Sequence, residues 1–113
     1  MLLGVGKPWL RWSLRGMKMF KSQIPDLVKT LKFAAEDGMR IELDGKTAYA
    51  GLGNRAGLHS YIPIALAERF KKWPRVEKKI LAGEWKSLKV LDFHNINRDR
   101  GRWVVVRTYS IEE

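Results

Sequence analysis

The sequence predicts an α+β fold, a four-stranded antiparallel sheet made of two hairpins and flanked by two to three helices. Three observations predict it. Apolar residues recur at helical spacing over 22–37, residues 39–49 alternate about a two-residue turn, and two β-rich runs flank a polar turn near the C-terminus. Two hairpins most simply pair into one sheet, with the helices covering one face and the other left open.

The chain opens on a basic, aromatic arm, residues 1–21. Its segment "KPWLRWSLRGMKMFK" sets Trp9, Trp12 and Phe20 among Lys7, Arg11, Arg15, Lys18 and Lys21, with no acid. As a strand, it turns Leu10, Trp12 and Leu14 to the core and Trp9, Arg11, Ser13 and Arg15 outward. As a helix, Lys7, Arg11, Arg15 and Lys18 make one stripe. The cations lie together either way, while Trp9 and Trp12 are divided between core and ligand. Pro8, Gly16 and the single Ser before Ser22 disfavour an organellar presequence, and "MLLGVGKPW" is a poor secretory signal.

Residues 22–37 form a helix whose apolar face is Ile24, Leu27, Val28, Leu31, Ala34 and Ala35. Ser22 is placed to cap it, Pro25 sits harmlessly in the first turn, and Gly38 ends it. In "MRIELDGKTAYA", Asp44-Gly45 demands positive φ at both positions, which makes a tight hairpin turn. Regular pairing about it sets Leu43 against Lys46, Ile41 against Ala48 and Arg40 against Tyr49. Tyr49 then stands beside Arg40 on the polar face. After a loop with three Gly, Ser60 caps a second helix with the stripe Ile62, Leu66, Phe70 and Trp73. Pro74 ends or kinks it. A short third helix runs through Val76, Ile80 and Leu81 to Gly83. The second hairpin joins "LKVLDFHNI" to "RWVVVRTYSI". Regular alternation puts Trp103, Val105, Arg107 and Tyr109 on one face and Val104, Val106 and Thr108 on the other. If the valines cover the core, Trp103, Arg107 and Tyr109 face the ligand; the opposite assignment is open. Phe33, Phe70 and Trp73 lie on or beside helical stripes and read as core.

At 113 residues the chain reads as one domain, 1–113, large enough for a core without staples. No Cys is present, which excludes disulfides, thiol catalysis and cysteine zinc sites and suits either a reducing compartment, with a cytoplasmic location expected, or selection against labile side chains. No apolar run approaches the ~20 residues of a membrane span. The 22 Lys and Arg against 12 acids give a net charge of +10. A field this positive attracts phosphate backbones.

Gly51-Leu52-Gly53-Asn54-Arg55-Ala56 fits the loose dinucleotide pattern, but it follows a tight hairpin rather than opening a βαβ helix. It reads either as a flexible turn or as a phosphate-contacting loop with Arg55 and free amides. His59 and His94 are the only histidines, no metal-ligand spacing or nucleophile motif appears, and neither cofactor nor catalysis is expected. The remaining pattern, cations interleaved with aromatics, is what a single-stranded nucleic acid requires. Its phosphates need neutralising and its bases need π-faces to stack on, with little sequence preference. The candidate contacts are Trp9, Arg11, Trp12, Arg15, Arg40, Tyr49, Arg55, Lys72, Arg75, Trp103, Arg107 and Tyr109. The rival readings are a small toxin-type ribonuclease using His59, His94, Arg55 and Tyr109, and a basic protein-interaction module.

The Trp residues between cations in "PWLRW" and "RWVVVR", with hairpins at "RIELDGKTAYA" and near the C-terminus and helices between, resemble ThermoDBP and its related proteins, small archaeal single-stranded DNA-binding proteins. The resemblance covers most of the chain as a layout and rests on no diagnostic motif. It implies an antiparallel sheet flanked by helices, a cleft that shelters bases, and single-stranded DNA as partner. Longer members dimerise by a terminal coiled coil. No such heptads follow the last strand here, which leaves a homodimer open and its mode unspecified.

Overall fold

The structure, a computed structural model, describes residues 17–53, 62–97 and 100–112. In chain order the elements are β1 (Met17–Met19), α1 (Ile24–Glu36), β2 (Arg40–Leu43), β3 (Lys46–Tyr49), α2 (Ile62–Phe70), α3 (Trp73–Leu81), β4 (Ser87–Asn97) and β5 (Arg100–Ile111). The α+β expectation holds, but the sheet is mixed and five-stranded, in the order β1-β5-β4-β2-β3. The two hairpins supply the antiparallel part. The fifth strand is the end of the basic arm. Met17, Lys18 and Met19 lie parallel to Tyr109, Ser110 and Ile111. Three residues carry no measurable period, and their partner is some ninety positions away along the chain, so nothing local announces this strand. Being parallel to β5, β1 points its N-terminal end toward the β4–β5 turn. The rest of the arm, residues 1–16, lies outside the described residues, as do Arg55, His59 and Ser60.

The face of α1 is the one its spacing dictates: Ile24, Leu27, Val28, Leu31, Ala34 and Ala35 are its buried residues. Ser22 does not cap it. Ser22 lies in a 3-10 turn over Lys21–Gln23, where the Gln23 Oε1 accepts from the Phe20 amide at 2.8 Å. At the other end the Met39 amide donates to Ala34 O and the Gly38 amide to Ala35 O, both at 3.0 Å, closing the helix through a left-handed Gly38. Phe33 was expected in the core but is 52% exposed, because it falls two residues past Leu31 on the outer side of the helix. Pro74 occupies the first turn of α3, so Trp73 starts that helix instead of finishing α2. Trp73, Val76 and Ile80 are buried and Leu81 is exposed.

Helices α1 and α3 pack on one sheet face, where Ile41, Leu43, Leu88, Val90 and Tyr109 complete the core. Each such residue, fully buried, is worth about 1.5–3 kcal/mol. Asp44 and Gly45 hold the expected turn at φ 50° and 85°. The Asp44 Oδ1 also accepts from the Lys86 and Ser87 amides, tying the turn to the start of β4.

Two irregularities in the ladders decide which side chains reach which face. In the first hairpin, Glu42 pairs with Thr47 but Ile41 pairs with Tyr49, so Ala48 is an extra residue. In the second, Val90 pairs with Arg107 but Leu91 pairs with Val105, so Val106 is extra. Each bulge reverses the facing of everything beyond it. Among the described residues, no helix is long and apolar enough to cross a membrane.

Candidate nucleic-acid interface

Cross-strand partners share a face, and residues two apart on a strand share it too. Arg40 pairs with Leu91, Leu91 with Val105, and Phe93 with Trp103. These five therefore stand on the face away from α1 and α3, since their neighbours Ile41 and Val90 are core. Arg40 belongs to β2 and Trp103 to β5, with β4 between them. The Arg40 side chain thus crosses over Leu91 and lays its guanidinium 5.0 Å from the centre of the Trp103 ring. Leu91, between them, is 8% exposed. The Arg40 Nε is buried and has no hydrogen-bond acceptor. Phe93 meets the Trp103 ring edge-on, with centroids 5.4 Å apart.

Two glycines make room for this cluster. A Cβ at Gly53 would come within 2.5 Å of Phe93 Cβ and 3.4 Å of the Trp103 ring, and Gly53 has φ +77°. A Cβ at Gly101 would come within 2.3 Å of the Phe93 ring, which therefore lies over it. The segment 51–53 is thus a close-packed wall of the site. The Gly53 amide donates to Gly38 O at 2.8 Å, so it is no free amide for a phosphate, contrary to the loop reading. Nearer β1, the same face carries the exposed Lys18 and Lys89 with Ser87, Thr108 and Ser110 between them by register. Glu42 lies beside Lys89. The face therefore grades from an aromatic, guanidinium-capped end to a hydroxyl and lysine end.

Of the sequence candidates, the structure brings together Arg40 and Trp103. Tyr49, expected beside Arg40 on the polar face, is turned into the core by the Ala48 bulge. It meets Trp73 edge-on at 6.0 Å, and its hydroxyl donates weakly to Ala35 O at 3.4 Å. Arg107 and Tyr109 were expected on the ligand face with Trp103, but the Val106 bulge puts them on the core side. They are 3% and 1% exposed. Burial raises the Tyr49 phenol from its ordinary 10.0, pushes the Tyr109 phenol well above the same value and lowers Arg107, whose Nη1 donates to Val106 O at 2.8 Å. These three are structural residues. Lys72 and Arg75 are exposed on the helical layer, apart from Trp103. Trp9, Arg11, Trp12, Arg15 and Arg55 fall outside the described residues. Tyr109 is buried while His94 stands exposed on β4 opposite Arg102, so these two members of the ribonuclease set are not brought together.

The sequence reading missed Phe93, Lys89 and the two glycines. The signal for Phe93 was its i+2 spacing from Leu91 in "LDFH", opposite the valine run. No protein-family model matches the chain, and neither a curated protein nor a solved structure matches it.

Proposed function

We propose that the protein binds single-stranded nucleic acid, DNA and by the same chemistry RNA, with little base specificity, and that it is a binding module rather than an enzyme. The observation that carries this is the Arg40–Trp103–Phe93 cluster on the sheet face away from α1 and α3. A half-buried Trp clamped by a guanidinium and a second ring offers a rigid π-surface, and Arg planes stack bases as well as aromatic rings do. Lys89 and Lys18 on the same face, within a chain of net charge +10, supply the phosphate contacts. The layout resemblance to ThermoDBP-related proteins points to the same ligand. On the sequence reading, Arg11 and Arg15 of the arm add further phosphate contacts.

Titration with an oligonucleotide at two salt concentrations, read by tryptophan fluorescence, tests it. Binding should quench the emission and weaken steeply with salt. Trp103→Ala should cost about 1–3 kcal/mol for one stacked base and remove part of the quench. Binding no tighter than to heparin, abolished alike by salt and unaltered in Trp103→Ala, would refute the stacking role.

A further inference from the structure

Positive charge is not spread evenly over the helical layer. On α1 the exposed charges balance, Lys29 and Lys32 against Asp26 and Glu36. The segment 71–79, which leads into α3 and forms most of it, carries five cations and one acid. Lys71, Lys72, Arg75, Lys78 and Lys79 are all exposed, while Trp73, Val76 and Ile80 turn into the core. Lys71 is held by Glu68 at 2.6 Å, and the one acid of the segment, Glu77, is half-buried. At 3.6 residues per turn Lys72, Arg75 and Lys79 fall within about 60° of arc, and at 1.5 Å per residue they span about 10 Å of helix axis. Lys78 adjoins Arg75 at i+3. The row ends on a cavity of about 370 Å³, which Lys79 lines together with Lys46 and Thr47 of β3 and the acids Asp44 and Glu84. Of these acids, Asp44 already accepts from the Lys86 and Ser87 amides.

This arrangement works against α3 itself. Lys72 and Arg75 stand at the positive end of the helix macrodipole, and no acid lies in the first turn. Like charges three and four residues apart also repel. An anion laid along the row relieves both effects. A membrane surface fits poorly, because an interfacial helix puts its apolar face into lipid, and the apolar face of α3 is in the protein core. A phosphodiester backbone fits well. At ~3.4 Å of axis per phosphate on each strand, a row of about 10 Å meets about three phosphates. We propose that the exposed side of α3 is a second nucleic-acid surface, which takes the phosphate backbone of a strand through Lys72, Arg75 and Lys79 and reads no base. The stacking cluster lies on the sheet face away from α1 and α3, so the two surfaces use different side chains. The backbone contact does not rest on the stacking reading.

The probe is a labelled blunt DNA duplex, whose bases are already stacked on one another and which therefore reports backbone contact alone. Its binding to the full chain is followed by fluorescence anisotropy over a range of salt. The triple variant Lys72→Gln, Arg75→Gln, Lys79→Gln is set against Lys21→Gln, Lys29→Gln, Lys32→Gln, three exposed cations on and before α1 whose loss lowers the net charge equally. All six positions are exposed and Gln is a good helix former, so both variants should keep the wild-type far-UV dichroism. The α3 triple should weaken duplex binding at least tenfold and lower the slope of log affinity against log salt by about 2.7, or 0.9 for each of three phosphates. The α1 triple should hold duplex binding within about threefold. Trp103→Ala should bind the duplex as the wild type does. Absence of tryptophan quenching by a single strand, with α3-dependent duplex binding intact, would remove the stacking reading and leave this surface standing. The proposal is overturned if the wild-type chain has no measurable affinity for the duplex, or if the two triples weaken it alike, as a diffuse positive field would require. It is also overturned if phosphatidylserine vesicles bind through the α3 cations and the duplex does not.

Discussion

The molecule holds two aromatic–cation clusters that look alike in the sequence and behave oppositely in the fold. One is Tyr49, Phe70 and Trp73, with Tyr109 and Arg107 in the same sheet–helix layer. The other is Arg40, Phe93 and Trp103. In the first, Phe70 stacks, partly buried, on Trp73 at 6.3 Å, Tyr49 meets Trp73 edge-on, and Tyr49, Trp73, Arg107 and Tyr109 are all buried. In the second, the same residue types sit on the sheet face away from α1 and α3. The comparison shows that aromatic content beside positive charge locates a ligand surface only after the facing of each strand is known.

The largest separation between the two clusters should appear in stability. Trp73→Ala removes a ring that is 2% exposed and should cost about 3–5 kcal/mol in urea unfolding. Trp103→Ala loses a half-buried ring with one cation–π and one edge contact, and should cost about 1–2 kcal/mol. Equal losses would mean that the open face is as much core as the covered one.

Gly53→Ala comes next. It places a Cβ against Phe93 in a left-handed backbone and should cost about 1–3 kcal/mol. It should also displace Phe93 and reduce nucleic-acid binding with the Trp103 side chain intact. Unchanged stability and binding would remove the segment 51–53 from the site.

A smaller contrast lies in pH. Burial raises Tyr109 and Tyr49 above the 10.0 they would have in the unfolded chain. The folded state thus retains protons that the unfolded state has lost. The stabilisation is complete below about pH 10 and is lost as pH rises above it toward the folded values. Urea midpoints should fall between about pH 9 and pH 11, and the fall should be shallower in Tyr109→Phe. An identical decline in that variant would assign the alkaline loss elsewhere. The smallest effect is expected for Tyr49→Phe. Its hydroxyl bond of 3.4 Å is long, so stability should change by less than about 1 kcal/mol and nucleic-acid affinity not at all. A drop in affinity would return Tyr49 to the ligand face and contradict the bulge.

Much of the architecture was legible because its causes are local. The α1 stripe follows from 3.6-residue spacing, the Asp44-Gly45 turn from its need for positive φ, and the start of α3 from Pro74. Of the site, Arg40 and Trp103 could be named from their types and neighbours. That they meet across β4 could not. Such a contact depends on strand order and on an arginine long enough to span a neighbouring strand.

The sequence by itself determined the order and type of the elements from α1 to β5, the charge, and the supply of aromatics. Only the tertiary structure decided which aromatics are core. With a side-chain period of two, one extra residue at Ala48 or Val106 exchanges the faces beyond it, and whether a bulge forms is settled by packing against α1, α3 and the opposite strand. The parallel β1 has the same origin, because its pairing energy comes entirely from a partner at the far end of the chain.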